Sequence, residues 1–404
     1  MAWLDSIGQI EEYEDVALEA ALVADLERHA AGAAPRPIRF STPTFKDYAS
    51  TELKGCSKNS FPSFSITAGA CGLNCDHCRA EILKPMMAAT SPAMLDQKVR
   101  QLVATQNLQG FLLSGGSNRR NEIPYERYYP VVGALKRDFP MMKIATHTAL
   151  TDERGARAME SAGVDTAMMD VIGADETIRD VYHLDRPVED FEATLAALCS
   201  TSMEVSPHIV IGLHYGRLLG ETNALDIVSR HPVAALVLVV VMPFYAKPGL
   251  YAVPDAGDVG RIFGEARRRL ADRQVLLGCA RPPGLHKRIV DAYAVMAGLD
   301  GIAFPADGAV AVANAIGRPH HQEHACCSIK IGDRPRSSVA STCAASPRPA
   351  HSWESADEMP PQGPRCLAGA GADRRARAAH ARPRRQPCAG HDPLDGRRAR
   401  ARRA

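Results

Sequence analysis

Three cysteines stand close together at Cys71, Cys75 and Cys78, in the stretch CGLNCDHC, with the spacing C-x3-C-x2-C. The thiolate is the metal-binding form of cysteine. Three of them on one short loop can hold three corners of a cubic iron–sulfur cluster. The fourth iron then has no protein ligand, and an enzyme needs such an open corner if a small molecule is to bind the metal directly. The competing reading is half of a structural zinc site. Structural zinc takes four ligands, commonly as two C-x2-C pairs, and no second pair follows within reach.

Further residues could serve the same chemistry. Ser114, Gly115, Gly116 and Ser117 follow an apolar run, and adjacent glycines let backbone approach a ligand closely. Thr146, His147 and Thr148 end another run and offer polar groups for ribose or substrate contacts. Asp170, His208, and Gly212 followed by His214 and Tyr215 stand at comparable places. Helix capping or loop solvation accounts for Asp170 and His214 equally well. Cys279 and Arg281 lie in a Gly- and Pro-rich stretch, Cys326 and Cys327 are adjacent, and Cys56 precedes the first motif. Cys56, Cys279 and one of the pair Cys326 and Cys327 could hold a second iron–sulfur cluster. The alternative is that they pack as small hydrophobes, as Cys199 does on an amphipathic helix.

The elements that must position these residues alternate. Short β-rich runs recur at 63–67, 110–113, 143–147, 165–169, 205–211, 235–241, 274–278 and 301–304. Helical patterns fill 91–106, 125–138, 151–162, 187–199, 222–230, 258–271 and 285–298, and 307–316 follows the last strand. Strands alternating with helices imply a parallel sheet. Eight of them predict an α/β chain folded as a complete or nearly complete (β/α)8 TIM-type barrel, with an open doubly wound sheet as the alternative. In such a barrel the chemistry belongs at the C-terminal strand ends, where the cysteine loop leaves the first strand.

Outside the barrel, apolar spacing over residues 10–31 predicts an N-terminal helix, and 36–62 reads as irregular wrapping. The expected organisation is therefore 1–62, a barrel over 63–327, and a tail over 328–404. Residues 331–404 hold fifteen Arg against seven Asp and Glu, so this segment carries about +8 of a chain whose net charge is +2. It lacks apolar periodicity and reads as a disordered basic tail. One account makes it an arm for an acidic partner; the preferred one is a translated frameshift or read-through. Eleven cysteines and no signal peptide point to a reducing, cytoplasmic setting. The longest apolar run, near 232–244, is too short for a bilayer, and nothing indicates a membrane or a nucleic acid as partner.

Taken together, the cysteine motif and the Gly115–Gly116 pair after the second strand resemble the radical S-adenosylmethionine superfamily. Residues from about 36 to 330 are most similar to the two-component lipoyl synthases within it, on FPSFSIT at 61–67, CGLNCDHCR at 71–79, ILKPM at 82–86, LSGG at 113–116, GCARP at 278–282 and the closing Cys326 and Cys327. The resemblance implies a [4Fe-4S] cluster on Cys71, Cys75 and Cys78 that binds S-adenosyl-L-methionine. Ser114–Ser117 would touch its methionine part and Gly212 would flank adenine. Where the superfamily often has Glu, this chain has Ser117. A second [4Fe-4S] cluster beside Cys279 and Arg281 would donate sulfur. The implied reaction inserts sulfur into an octanoyl chain on a lipoyl-carrier protein. A paralogous partner subunit would take part, and an electron donor such as ferredoxin or flavodoxin. A biotin-type sulfur insertion, a cofactor maturase, or a non-catalytic iron–sulfur or zinc module are the alternatives.

Overall fold

The computed structural model describes residues 2–329 apart from 33, 43–47, 49, 54–60, 107, 325 and 327. Cys56, Cys327 and the whole basic segment beyond residue 329 lie outside the described residues. The chain divides between residues 353 and 354, and every described residue belongs to the first unit.

The N-terminal region is α1 (Ala2–Ile7), a 3-10 turn (Glu11–Tyr13) and α2 (Ala20–Ala30). The single helix expected over 10–31 is thus broken. Tyr13, 1% exposed, donates to the carbonyl of Arg288 at 2.9 Å, and the Glu19 N–H donates to the Tyr293 hydroxyl at 2.8 Å. These ties to a distant helix override the local periodicity.

Eleven strands follow: β1 (Ile38–Ser41), β2 (Ser63–Ser65), β3 (Met87–Ala88), β4 (Gly110–Ser114), β5 (Lys143–His147), β6 (Thr166–Asp170), β7 (Glu204–Ile211), β8 (Ala235–Val240), β9 (Gln274–Leu277), β10 (Gly301–Ala303) and β11 (His320–Glu323). The helices among them are α3 (Pro92–Thr105), α4 (Tyr129–Asp138), α5 (Glu153–Ser161), α6 (Asp175–Tyr182), α7 (Val188–Cys199), α8 (Glu221–Ser229), α9 (Ala256–Arg269), α10 (Leu285–Met296) and α11 (Ala309–Ala315). Local chemistry sets their starts. Ser91 caps α3 by accepting the Met94 N–H, with Pro92 at the first helical position. Asp152 caps α5 and Asp255 caps α9 in the same way.

All the predicted strands form, and they pair in parallel in chain order from β2 and β4 through β10. The sheet curls into a half-barrel, and this corrects the expectation of a closed eight-stranded barrel. The stretch read as irregular wrapping contributes β1, which pairs with β10 on one side and β11 on the other. β1 thus occupies the edge of β10 that would have had to meet β2. Among the described residues β2 pairs only with β3 and β4.

Alternation along the strands separates two cores. Phe64, Phe111, Ile144, Ile209, Leu238, Leu277 and Ile302 face the helices in one large cluster. The opposite face lines the lumen. There Ala235, Val237, Leu276, Ala303 and Phe304 form one apolar cluster, and Ala145, Met168, Phe61 and Ile329 another. Ile329, 1% exposed, brings the end of the described chain into this interior. No helix among the described residues is long and apolar enough to cross a membrane.

Candidate active site

The three cysteines occupy one compact loop after β2. Ala68, Asn74, Arg79 and Ala80 adopt left-handed backbone, and the Cys75 carbonyl accepts the N–H groups of Cys78 and Arg79 at 3.3 and 2.9 Å. Cys75 is buried and Cys71 and Cys78 are half-buried. Burial, and the neighbouring Cys78 and Cys71 thiols, push the Cys75 thiol far up; burial raises Cys78 to about 11. Thiols in this state ionise readily only against a cationic metal. Among the described residues no three His, Cys, Asp or Glu side chains are disposed to hold a single metal ion. A cube takes its thiolates at separate corners, and the donor set fits it: three thiols from one loop, of which Cys75 and Cys78 are costly to ionise alone.

The loop is seated on the end of β4. A Cβ on Gly116 would lie 2.0 Å from the Ala70 carbonyl oxygen and 2.7 Å from Cys71, so only glycine allows this approach. The Gly116 N–H donates to Thr67 Oγ1 at 2.7 Å. The Gly72 N–H donates to the Ser117 carbonyl at 2.6 Å, and Cys71 Sγ lies 3.8 Å from the same oxygen. Gly116 and Ser117 therefore sit directly beside Cys71, while Gly115 packs against Ile66 and Thr67. Ser114 is buried, and its carbonyl accepts the Ile66 N–H at 2.9 Å.

Asp76 ties the loop to three other parts of the chain. Its N–H donates to the Val181 carbonyl at 3.0 Å and its carbonyl accepts the Lys247 N–H at 2.8 Å. Its carboxylate meets His183 Nε2 and the Tyr215 hydroxyl, each at 3.3 Å. Nothing in the sequence pattern marks this residue as an anchor.

A polar group lines the neighbouring strand ends. The His77 ring stacks on Tyr182, centroids 5.1 Å apart. The Tyr182 hydroxyl donates to Asp170 Oδ2 at 3.3 Å. His147 Nε2 lies 3.7 Å from Asp170 Oδ1, and the His147 and His208 rings meet edge-on at 5.2 Å. Burial holds His77 and His208 down to about 4. Burial alone would raise the Asp170 carboxyl, but its hydrogen bond with His147 and the charges of His147, His208 and His77 outweigh it, and the carboxyl lies well below the usual range. The register His147↔Met168 and Asp170↔His208 brings the three together. Thr146, expected to share a ligand site with His147, lies on the opposite face with Ile144 and is buried.

Gly212, at φ +75°, follows β7. Its N–H donates to Glu221 Oε1 at 2.8 Å, and burial raises the Glu221 carboxyl. Glu221, which sequence reasoning missed, ties the start of α8 to the turn after β7; its place at the first position of a helix is the only sequence signal. His214 is spent on packing, with Nδ1 3.2 Å from Thr177 Oγ1.

Across the lumen, Cys279 and Cys326 both pack against the cluster of Val237, Leu276, Ala303 and Phe304. Their expected co-ligands Cys56 and Cys327 are outside the described residues. The expectation of chemistry at Arg281 is corrected. Its guanidinium is 3% exposed and is committed to Asp291 at 2.6 and 2.9 Å and to the carbonyls of Gly278, Ala303 and Phe304. It braces the ends of β9 and β10 and so positions Cys279 without facing the lumen chemistry.

No protein-family model matches the chain, and no curated protein matches it. Solved structures do. HydG, a maturase of the [FeFe]-hydrogenase, matches with a TM-score of 0.50 at 11% identity, over 75% of this chain and 68% of its own. The two proteins share a fold. Methylornithine synthase (PylB) matches at 0.46 and 10% identity, over 75% of this chain and 86% of its own. TsrM from Kitasatospora setae, a radical S-adenosylmethionine methyltransferase solved with cobalamin and a [4Fe-4S] cluster bound, matches at 0.34 and 11% identity, over 45% of this chain and 34% of its own. At such identities the likeness is one of fold, and the chemistry of this chain is argued from its own side chains.

Proposed function

We propose that the chain is a radical S-adenosylmethionine enzyme that inserts sulfur at an unactivated C–H bond, converting a carrier-bound octanoyl chain to lipoyl together with a paralogous subunit. The observation that carries the first half is the cysteine loop seated on the Gly115–Gly116 strand end of a curled parallel sheet. Cys71, Cys75 and Cys78 would hold a [4Fe-4S] cluster. Bound there with S-adenosylmethionine, the cluster supplies the one-electron reduction that yields methionine and a 5′-deoxyadenosyl radical. The backbone of Ser114–Ser117 would touch the methionine part, and the turn at Gly212 would flank the adenine. His77 offers a ring, and Asp170 a carboxylate that its imidazole neighbours keep ionised against the cost of burial, for the nucleoside. The apolar lumen wall excludes water from a reactive radical and holds an acyl chain by burial alone.

Support for sulfur insertion is narrower. It rests on the family resemblance and on two thiols, Cys279 and Cys326, that share the apolar wall facing the first site. Cys56, Cys279 and one of the pair Cys326 and Cys327 would hold a second cluster, whose sulfide would be the sulfur donor. The His147–Asp170–His208 group favours a second reading, a radical reaction that also moves a proton, because sulfur insertion gives those imidazoles no task.

Anaerobic purification followed by an assay with an octanoylated lipoyl-carrier peptide, with and without a paralogue, tests both. About eight irons per chain and lipoyl product support the proposal, about four irons without product favour the second reading, and zinc without iron removes both. Cys75→Ala is expected to abolish 5′-deoxyadenosine formation. Cys279→Ala is expected to leave it intact and stop sulfur transfer, and sulfur transfer that survives would exclude the second cluster.

A further inference from the structure

The large apolar side chains left exposed are not scattered. Met141 lies at the far end of the sheet, but the others sit on turns that follow β2, β7, β8 and β9. They include Phe244 (60% exposed), Leu285 (54%), Val253 (49%) and Ile82 (46%). Direct contacts join these turns into one surface. His286 Nε2 lies 2.8 Å from the Pro254 carbonyl, which links the start of α10 to the turn after β8. Tyr251 of that turn packs on Tyr215 after β7, rings 5.2 Å apart. The Lys247 N–H reaches the Asp76 carbonyl at 2.8 Å, which brings the same turn onto the cysteine loop.

The charge on these turns is one-sided. Arg79, Arg217 and Lys247 are exposed and make no ion pair among the described residues. Among the carboxylates beside them, Asp76 meets His183 and Tyr215 and Glu81 is paired with Lys84; Asp255 caps α9, and Glu176, near Arg217 and His214, keeps its charge exposed. An apolar centre with a cationic rim is the anatomy of a protein interface. An anionic bilayer is a poorer match, because it selects a polybasic cluster or an exposed amphipathic helix, and these side chains come from separate turns around an opening.

We propose that this face is the docking surface for an acidic protein domain that presents the substrate to the cysteine loop. It rests on the reading of that loop as the reactive end. The partner's carboxylates would pair with Arg79, Arg217 and Lys247, while Phe244, Val253 and Leu285 supply the buried contacts that set lifetime.

The test uses the full chain and, as probe, an octanoylated lipoyl-carrier domain. Its affinity is measured by anisotropy at low and high salt. Two double variants are compared with the parent, Phe244→Ser with Leu285→Ser and Arg217→Glu with Lys247→Glu. Each is expected to weaken binding about tenfold or more, the charge reversal is expected to flatten the salt dependence, and unfolding midpoints should stay put. Unchanged affinity in both variants, or a parent chain that does not bind the carrier, overturns the proposal. So does binding to phosphatidylglycerol vesicles in place of the carrier, or self-association that the apolar double variant abolishes. A free octanoyl-lysine peptide separates this inference from the chemistry. Peptide turnover with carrier affinity untouched by both variants sinks the docking face alone. Carrier binding through this face without peptide turnover sinks the sulfur chemistry alone.

Discussion

Along β5, β6 and β7 the strand ends carry His147, Asp170 and His208, which contact one another. Along β8, β9 and β10 the lumen face carries Val237, Leu276 and Ala303, which form an apolar cluster with Phe304. Both walls belong to one sheet with continuous parallel pairing, so backbone geometry does not make them differ; side-chain choice does. The polar wall adjoins the three-cysteine loop through Tyr182 and His77 and suits a charged nucleoside cosubstrate. The apolar wall carries the two remaining described thiols of the interior and suits a hydrocarbon. Holding an ionised carboxylate buried costs free energy that its imidazole neighbours offset. Holding an acyl chain needs only dry surface. Under the proposed function, two tasks with opposite solvation demands would be separated across a single lumen.

The difference can be broken most violently on the apolar side. Arg281→Ala leaves Asp291, itself wholly buried, without its cation. The expected loss is about 3–5 kcal/mol of stability in denaturant unfolding. Replacing both, as Arg281→Met with Asp291→Leu, should recover part of that loss. If the single variant costs nothing, the brace described for β9 and β10 does not exist. On the polar side Gly116→Ala forces a methyl group against the Ala70 carbonyl. A loss of about 1–3 kcal/mol is expected, together with weaker iron retention after anaerobic reconstitution. A variant that keeps its iron fully would show that the loop does not need this seat.

The smallest effect is a pH dependence that belongs to the polar wall alone. His77 and His208 are held down to about 4 in the folded chain, against about 6.5 when unfolded. Between those values the unfolded state binds protons that the folded state refuses, so stability falls as pH drops from about 6.5 towards 4. Asp170, whose carboxyl is lowered, adds a loss of the same sign as pH falls below the ordinary carboxylate value. His208→Asn should flatten the slope in the upper part of that window. Leu276→Ala, on the other wall, should lower stability without altering the slope. Equal slopes in parent and His208→Asn would dissolve the distinction between the walls.

The sequence makes some of this plain and hides the rest for physical reasons. The runs that became β2 and β4–β10 are legible because strands buried in a parallel sheet are rich in apolar and β-branched residues, most plainly in β8, ALVLVV. β1 is only four residues long and stands between prolines; its signal, the alternation of Ile38 and Phe40, is faint. α6 carries Ile178, Val181 and Tyr182 at helical spacing but is short enough to pass for a loop. The open sheet is not legible at all, since it depends on which strand takes the free edge of β10. The cysteine loop is readable because its ligands are local in the chain. The His147–Asp170–His208 group depends on register between strands, and the role of Arg281 depends on Asp291, ten residues further on and across a turn.

Asp76 carries a consequence of its own. Its ties reach residues 107 and 139 positions away in the chain, and they are made of protein atoms alone. A zinc finger must recruit its ion before it can fold, whereas this loop is moored by its own polypeptide. Oxygen damage to an iron cofactor would then call for repair rather than resynthesis: the scaffold survives, and a fresh cube can be delivered to a berth already shaped to receive it.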